Sequence, residues 1–132
     1  MLTRRKLIQS TAAGIAASTL AAPAILRAQS WFRDYPFKLG VAAGDPAVDG
    51  FVIWTRIAPQ PFERHSGVST SALPVQWEVA EDSGFRTMAA KGEALARPEL
   101  GHSVHVEVEG LKPDRPYWYR FYIGSDRSLA GR

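Results

Sequence analysis

The sequence predicts an all-β fold in which two antiparallel sheets pack as a sandwich. Two observations lead to this prediction. From residue 37 onward, six short runs are rich in β-branched and aromatic residues, and several alternate between apolar and polar side chains. Clusters of Gly, Pro and Asp separate these runs at the short spacing that is typical of antiparallel sandwiches.

The first two predicted strands are residues 37–42 and residues 51–57. The first strand alternates in character and leads into Gly44, Asp45 and Pro46, which favour a turn. The second strand carries apolar side chains on both faces, so periodicity alone does not orient it. It stops where two prolines follow.

The third predicted strand comes after a long polar segment. Residues 62–72 contain glycine and several hydroxyl side chains, and we interpret them as a surface loop. Residues 75–79 then alternate strictly, which places Val75, Trp77 and Val79 on the inner face of a strand.

The last three predicted strands lie in residues 86–96, 103–109 and 117–123. The first of these suits a helix as well as a strand, and its neighbours favour a strand. In the second, three valines share one face and charged side chains occupy the other. In the third, Trp118, Arg120 and Tyr122 point outward. Its inner face is formed by Tyr117, Tyr119, Phe121 and Ile123.

Residues 1–28 carry the features of an export signal. Residues 3–8 read TRRKLI, and these adjacent arginines lead into an Ala-rich, mildly apolar run. Polar residues and Pro23 interrupt the run, whereas a membrane-spanning helix needs about 20 predominantly apolar residues. We therefore predict a twin-arginine signal, helical or disordered, rather than a stable membrane anchor or an ordinary secretory signal.

The signal implies a partner and a destination. The twin-arginine translocase would carry the folded chain out of the cytoplasm, to the periplasm or the extracellular space. Cleavage is expected after Ala24, which ends an Ala-Pro-Ala triplet, or after Ala28, and the sequence does not choose between them. We interpret residues 29–36 as a linker and residues 37–132 as the folded domain.

The charge balance argues against a nucleic-acid partner. The 132 residues carry a formal net charge of +3, from 16 basic and 13 acidic residues. Four of the basic residues and none of the acidic ones lie in residues 1–28, so the rest of the chain has a net charge of −1. No stripe of Lys and Arg remains to follow a phosphate backbone. Because the chain has no cysteine, its fold depends on burial without disulfides.

No catalytic, cofactor-binding or metal-ligating residue is predicted in this chain. His102 and His105 are three positions apart, and on a strand that spacing points them to opposite faces. His65 falls in a polar loop and is expected to have no partner. Because Ca²⁺ requires six or more oxygen ligands, Asp45 and Asp49 are interpreted as turn residues, with Asp45 accepting from nearby backbone amides.

Several motifs resemble known domains. Residues 110–117 read GLKPDRPY and resemble the corner between the fifth and sixth strands of fibronectin type III domains, where a Leu plugs the core and a Tyr hydroxyl bonds to upstream backbone. Trp54 resembles the buried second-strand Trp of that fold. Four further segments resemble, in order, the amino-terminal domain of PhoD-type alkaline phosphatases: LGVAAGDP (39–46), VIWTR (52–56), WEVA (77–80) and HSVHV (102–106).

The resemblance implies that the chemistry lies elsewhere. In that family, a fibronectin-like sandwich precedes a metallophosphoesterase domain, which binds iron and calcium and hydrolyses phosphate esters. The matched residues cover the sandwich alone, so no metal ligand or catalytic residue can be carried over to this chain. We expect a fragment or a truncated product whose partner is the missing catalytic domain.

The resemblance also predicts an interaction surface. With Trp54 in the core, Phe51 and Ile53 face outward together with Trp118 and Tyr122. Large exposed apolar faces usually mark an interaction surface, so we expect this face to dock against the catalytic domain and orient it. The alternative is a standalone exported module that binds a cell-envelope polymer or a protein.

The last strand is expected to be incomplete. Residues 128–132 are too short to pair along the whole of the sixth strand, which would leave much of its edge unpaired. On this reasoning, residues 29–132 expressed alone would be poorly soluble or only marginally stable.

Overall fold

The computed structural model describes residues 29–132. The export signal predicted in residues 1–28 lies outside the described residues and stays a prediction. No helix within residues 29–132 combines the length and the hydrophobicity that crossing a membrane requires.

Within the described residues, seven strands form two sheets in which neighbouring strands are antiparallel, so the predicted sandwich is confirmed. The strands are β1 (Val41–Ala47), β2 (Gly50–Arg56), β3 (Leu73–Ala80), β4 (Met88–Ala96), β5 (Ser103–Val108), β6 (Trp118–Ile123) and β7 (Asp126–Arg127). One sheet has the order β1-β2-β5, and the other has the order β4-β3-β6-β7. Two 3₁₀ turns, Arg64–Gly67 and Pro98–Leu100, lie in the connections.

The core lies between the two sheets, where the alternating strands deliver their apolar faces. In β5, Val104 and Val108 are each 2% exposed, whereas His105 and Glu107 are exposed. In β6, Phe121 is fully buried. The inner faces predicted for these two strands are therefore confirmed, because strict alternation fixes which side chains share a face.

The corner before β6 has the predicted geometry. The Tyr117 hydroxyl donates to the backbone carbonyl of Lys112 at 2.9 Å. Leu111 is 7% exposed within the core, and its amide donates to the carbonyl of Asp49 at 2.8 Å. The side-chain and backbone bonds together hold the corner against the turn between β1 and β2.

The inner and outer faces of β2 are the reverse of those predicted. Ile53 is fully buried and Phe51 packs against the core, whereas Trp54 is half-buried on the outer face. The partner strand explains this, because Ile53 is paired with Val106 and Trp54 with His105. Directly paired residues share a face of the sheet, so the valines of β5 fix which side chains of β2 point inward.

The first strand begins later than predicted. The Gly40 amide donates to the Phe37 carbonyl at 3.0 Å, which makes residues 37–40 a turn, and Gly40 has a positive φ of 78°. Phe37 is 2% exposed and anchors the turn in the core. The predicted turn at residues 44–46 lies within β1, whose pairing is irregular between Gly44 and Ala47.

The chain end covers the edge of β6, so the unpaired edge predicted there is wrong. β7 is two residues long, which agrees with an incomplete last strand. Beyond it, the Ser128 amide donates to the Phe121 carbonyl, and the Phe121 amide donates to Ser128 Oγ, both at 2.9 Å. Tyr119 and Gly131 exchange two backbone hydrogen bonds. Because the Ser128 hydroxyl takes the place of a backbone carbonyl, an irregular segment still pairs with the edge.

Residues 29–36, interpreted from sequence as a linker, pack along the sandwich. The Pro36 carbonyl accepts from the Ala58 amide at 2.8 Å, and the Tyr35 hydroxyl donates to the Arg127 carbonyl at 2.9 Å. Burial raises the pKa of Tyr35, as does the nearby Asp126 carboxylate. This segment therefore rests on the folded domain, beside its last strand.

Candidate interaction surface

The outer face of the four-stranded sheet presents a row of large side chains from β6. Trp118, Arg120 and Tyr122 alternate with the buried positions of that strand and are each half-buried. We refer to these three residues as the aromatic row. The sequence predicts all three to point outward, and the structure confirms that they share this face.

Glu78 of β3 holds the aromatic row in place. Its Oε2 atom accepts from Arg120 Nε at 3.0 Å and from the Tyr122 hydroxyl at 3.1 Å. The exposed fractions of the Arg120 and Glu78 side chains are 19% and 24%, so this ion pair is partly shielded from water. Hydrogen bonds to a charged group are stronger than neutral ones, and two of them converge on one oxygen.

The guanidinium of Arg120 is also stacked between two rings. Its Cζ atom lies 3.8 Å from the ring centroid of Phe85 and 5.1 Å from that of Tyr122. Farther along the row, Arg132 Cζ lies 5.5 Å from the Trp118 ring centroid. These distances suit cation–π contacts, which add to the ion pair in fixing the side-chain positions.

The phenol of Tyr122 remains a hydrogen-bond donor at neutral pH. Burial raises its pKa above 10.0, and the hydrogen bond to Glu78 and the negative charge of that carboxylate raise it further, while Arg120 and Arg127 oppose them. A protonated phenol, a paired carboxylate and a guanidinium do not make an activated nucleophile. The aromatic row is therefore suited to binding rather than to catalysis.

The two outward residues predicted on β2 do not join this surface. Phe51 and Ile53 face the core, and Phe51 packs near Tyr117 and Tyr119, with ring centroids 6.2 and 6.1 Å away. The outer face of the three-stranded sheet instead carries Trp54, whose ring centroid lies 6.0 Å from that of His105. Each sheet therefore presents its own aromatic surface.

Sequence reasoning placed Arg120 on the outward face but missed Glu78 and Phe85 as parts of the surface. Glu78 and Arg120 occupy outward positions of alternating strands and carry opposite charges, which is a usable signal once the two strands are known to be neighbours. Phe85 follows β3 in a turn and has a positive φ of 54°. Nothing in its local sequence indicates that it reaches Arg120.

An open groove of about 410 Å³ lies between the β1–β2 hairpin and the corner before β6. Its lining includes Pro46, Tyr117 and the cationic side chains of Lys112, Arg115 and Arg132. The two walls are about 60 residues apart in sequence, so no local pattern predicts the groove. It is not lined by any histidine.

The candidate metal ligands are dispersed. His65 and His105 are exposed, whereas His102 is 3% exposed with Nε2 3.0 Å from the Ser71 carbonyl. Asp45 has a positive φ of 47°. Contrary to expectation, its carboxylate accepts no hydrogen bond from a backbone amide of the described chain. Asp49 lies in the turn between β1 and β2. Among residues 29–132, no three or more His, Asp or Glu side chains come together in a group that could hold a metal ion.

Comparisons with known proteins agree on one family. Residues 20–132 match the model of the PhoD-like phosphatase N-terminal domain. Over 135 aligned positions the chain is 44% identical to alkaline phosphatase D of Bacillus subtilis (strain 168), a match that covers 98% of this chain and 23% of the relative. A solved structure of PhoD matches with a TM-score of 0.75 and 50% identity, over 78% of this chain and 20% of that one.

The chain thus spans about a quarter of the length of the curated relative that it matches. The antiparallel sandwich and its tyrosine corner are consistent with these matches. The chain belongs to the PhoD-like phosphatase N-terminal domain family.

Proposed function

We propose that this chain is the non-catalytic leading domain of an exported PhoD-like alkaline phosphatase, and that it packs against and orients the catalytic domain. Hydrolysis of phosphate esters would then take place in the remainder of the longer protein. Two facts support this division: the relative named alkaline phosphatase D extends well beyond the matched region, and the described residues bring together no metal-binding cluster.

The observation that carries the proposal is the aromatic row on the four-stranded sheet. Aromatic side chains and Arg are the residue types enriched at protein interfaces, and here they lie on one face of one strand. Glu78 and Phe85 fix the central guanidinium before any partner arrives. Because little side-chain entropy remains to be lost, binding a second domain on this face has a low ordering cost.

The charge of the row indicates what kind of surface fits against it. Glu78 neutralises Arg120, and Tyr122 is uncharged. Lys91 and Arg127, the strand partners of Glu78 and Tyr122, share this face and add positive charge beside the row. A partner surface that combines apolar area with a few acidic groups suits such a face. A neighbouring domain of the same chain is a suitable partner, because its attachment keeps the local concentration high.

The test uses the full-length protein that contains this chain. We expect Trp118→Ala to lower the thermal stability of the catalytic domain and to reduce kcat/KM for a phosphate ester, because the contact that orients that domain is weakened. The matched control is Trp54→Ala, which removes a half-buried tryptophan from the outer face of the other sheet.

Calorimetry and kinetics together decide the outcome. Losses with Trp118→Ala that Trp54→Ala does not reproduce would support docking at the aromatic row. Unchanged catalytic-domain unfolding and unchanged kcat/KM with Trp118→Ala would overturn the proposal. If only Trp54→Ala has these effects, the docking face is on the three-stranded sheet, and the assignment to the aromatic row is wrong.

We further propose export by the twin-arginine route, with residence in the periplasm or outside the cell. The paired arginines in residues 3–8 support this route. Replacing both with lysine, Arg4→Lys and Arg5→Lys, keeps the charge and removes the arginine pair, so we expect the protein to remain in the cytoplasm. Arg27→Lys is the matched control and should leave export unchanged; normal export of the double variant would contradict the route.

A further inference from the structure

The groove between the β1–β2 hairpin and the corner before β6 is positively charged. Three cationic side chains line it, those of Lys112, Arg115 and Arg132, and they face a single carboxylate, that of Asp114. All four residues are exposed, and the other lining residues carry no formal charge. Because residues 29–132 as a whole have a net charge of −1, this excess of two positive charges is a local feature of the groove.

The domain itself does little to neutralise these cations. Lys112 Nζ lies 3.8 Å from Glu81 Oε1, and an exposed ion pair of this length contributes little. Arg132 contacts the Trp118 ring, which leaves its charge uncompensated. Arg115 makes no hydrogen bond or ion pair with another residue of the part of the chain that the structure describes. Arg115 is therefore the cation that is most available to a partner.

The opposite wall of the groove is an uncovered part of β1. Ala43 is paired with Ile53, which is fully buried, so both side chains point toward the inner side of their sheet. Ala43 is nevertheless exposed, because the second sheet does not cover β1 at this position. With Pro46 and Ala47 it forms a wall of small apolar side chains, which leave room for another backbone to approach.

We propose that this groove binds an acidic segment of the catalytic domain in the longer protein. Carboxylates of that segment pair with Arg115 and its neighbouring cations, and an apolar side chain of the segment covers the wall at Ala43. The inference rests on the proposed function, in which the catalytic domain accompanies this sandwich. It adds a second contact to the one at the aromatic row.

Arg132 connects the groove with the aromatic row. It lines the groove, and its guanidinium lies over Trp118, which belongs to the row. The two surfaces are therefore continuous, and an interface of standard size, about 800 Å² on each partner, is large enough to include both. A free inorganic anion would satisfy the cations but leave the apolar wall in water. A peptide segment satisfies both, and its attachment to the same chain keeps its local concentration high.

Reversing the charge of Arg115 tests the pairing in the full-length protein. Arg115→Glu places a carboxylate opposite the acidic segment, so we expect the unfolding temperature of the catalytic domain to fall by about 2–4 °C. The matched control is Arg64→Glu, because Arg64 is also exposed and has no ion pair among the described residues. It lies at the other end of β2 from the groove, near the bond between Arg56 and Ser66.

Salt separates an electrostatic effect from a general loss of stability. At about 1 M NaCl, charges are screened beyond about 3 Å, so the difference between Arg115→Glu and the unaltered protein should shrink. Arg64→Glu should match the unaltered protein at both salt concentrations. Equal unfolding temperatures for the two charge reversals at low salt would overturn the proposal, as would a difference that high salt leaves unchanged.

Carbodiimide cross-linking identifies what lies in the groove. The reagent joins a lysine amine to a carboxylate as an amide and takes up the water that is lost, so groups in direct contact react. Arg115→Lys keeps the charge, and we expect position 115 to be joined to an Asp or Glu beyond residue 132. Arg64→Lys is the control and should give no such product. The product that joins Lys112 to Glu81 verifies that the reagent reaches the groove.

Lys91 distinguishes failure of this inference from failure of the proposed function. It is the strand partner of Glu78, so it lies beside the aromatic row and reports contact there. Products beyond residue 132 from Lys91 alone, and from neither Lys112 nor Arg115→Lys, would refute the groove and leave docking at the row intact. Products that join position 115 to a second molecule, seen with isotopically mixed protein, would make the occupant another copy and refute the proposal. The absence of any product beyond residue 132, with unchanged unfolding of Trp118→Ala, would refute both.

Discussion

At the scale of single residues, Glu78 fixes the positions of two side chains on the outer face of the four-stranded sheet. One carboxylate oxygen accepts from both Arg120 and Tyr122, so three side chains from two strands act as a unit. On the inner side of the same sheet, the Tyr117 hydroxyl bonds to the Lys112 carbonyl. Only the Tyr117 bond could be predicted from sequence, because its partner lies five positions away, whereas Glu78 and Arg120 are 42 positions apart.

Removing the Tyr122 hydroxyl should change how stability depends on pH. We expect Tyr122→Phe to cost about 0.5–1.5 kcal/mol at pH 7, the usual value for one hydrogen bond. The folded state raises the pKa of this phenol above 10.0, so it holds the proton more tightly than the unfolded chain does. Stability is therefore retained below pH 10 and falls as the pH rises past the folded-state pKa.

The Tyr122→Phe variant cannot lose this proton, so its stability should decline less steeply above pH 10 than that of the unaltered domain. Urea unfolding at neutral and alkaline pH measures both effects. Because the pKa of Tyr119 is also raised by burial, part of the alkaline decline should persist in the variant. If the free energy of unfolding falls equally steeply above pH 10 in Tyr122→Phe and in the unaltered domain, ionisation of Tyr122 does not cause the alkaline decline.

The hydrogen bond from the Tyr117 hydroxyl to the Lys112 carbonyl can be tested by removing that hydroxyl. We expect Tyr117→Phe to lower the free energy of unfolding by about 1 kcal/mol, because the Lys112 carbonyl loses its partner while the ring stays packed. The urea midpoint should fall without a change in the slope of the transition. A variant as stable as the unaltered domain would show that water replaces the phenol at no cost.

At the scale of whole elements, the sequence predicted strands best where their two faces differ. The valines of β5 alternate with polar side chains, and the inward residues of β6 alternate with the aromatic row, each member of which carries a polar group. Both strands were oriented correctly. β2 is apolar on both faces, so its orientation depends on its register with β5 rather than on its own pattern. β1 was placed too early because Phe37, a buried turn residue, looks like the start of a strand.

The edge strand β4 passes close to a tryptophan of its neighbour. A Cβ atom at Gly92 would lie 2.7 Å from Trp77 Cζ2, so the backbone of β4 rests against the indole ring. We expect Gly92→Ala to lower stability by about 1–3 kcal/mol, the range for overpacking. The matched control is Gly44→Ala in β1, where no atom lies within 4 Å of the added Cβ.

Urea unfolding followed by tryptophan fluorescence compares the two glycine variants. Gly44→Ala should stay within about 0.5 kcal/mol of the unaltered domain, as most surface substitutions do. If both variants unfold at the same urea concentration, the indole of Trp77 moves aside at no cost. The short distance between Gly92 and Trp77 then makes no contribution to stability.

At the scale of the molecule, both ends of the described chain meet at one hairpin. Residues 29–36 bond to Ser125, Asp126 and Arg127, and the residues after β7 pair with the edge of β6. The packing of neither end could be predicted from sequence, because each end pairs irregularly and relies on side-chain hydroxyls such as those of Ser30 and Ser128. The domain is therefore closed by short segments that lack a strand pattern of their own.

This closure changes the expectation for the isolated domain. Poor solubility was predicted from an unpaired edge on β6, but Tyr119 and Phe121 have partners for their outward amides and carbonyls. We now expect residues 29–132 to be monomeric and to unfold in a single cooperative transition. Ending the chain after Arg127 removes those partners, and the exposed edge should cause self-association and a lower unfolding temperature.

A chain that ends after Gly131 is the matched control, because it keeps every hydrogen bond to the edge and loses only Arg132. Light scattering after size-exclusion chromatography, together with thermal unfolding, compares the three lengths. The chain ending at Gly131 should behave like residues 29–132, whereas the chain ending at Arg127 should associate. If all three are equally stable monomers, the last residues do not protect the edge of β6, and another part of the fold keeps that strand from pairing with a second molecule.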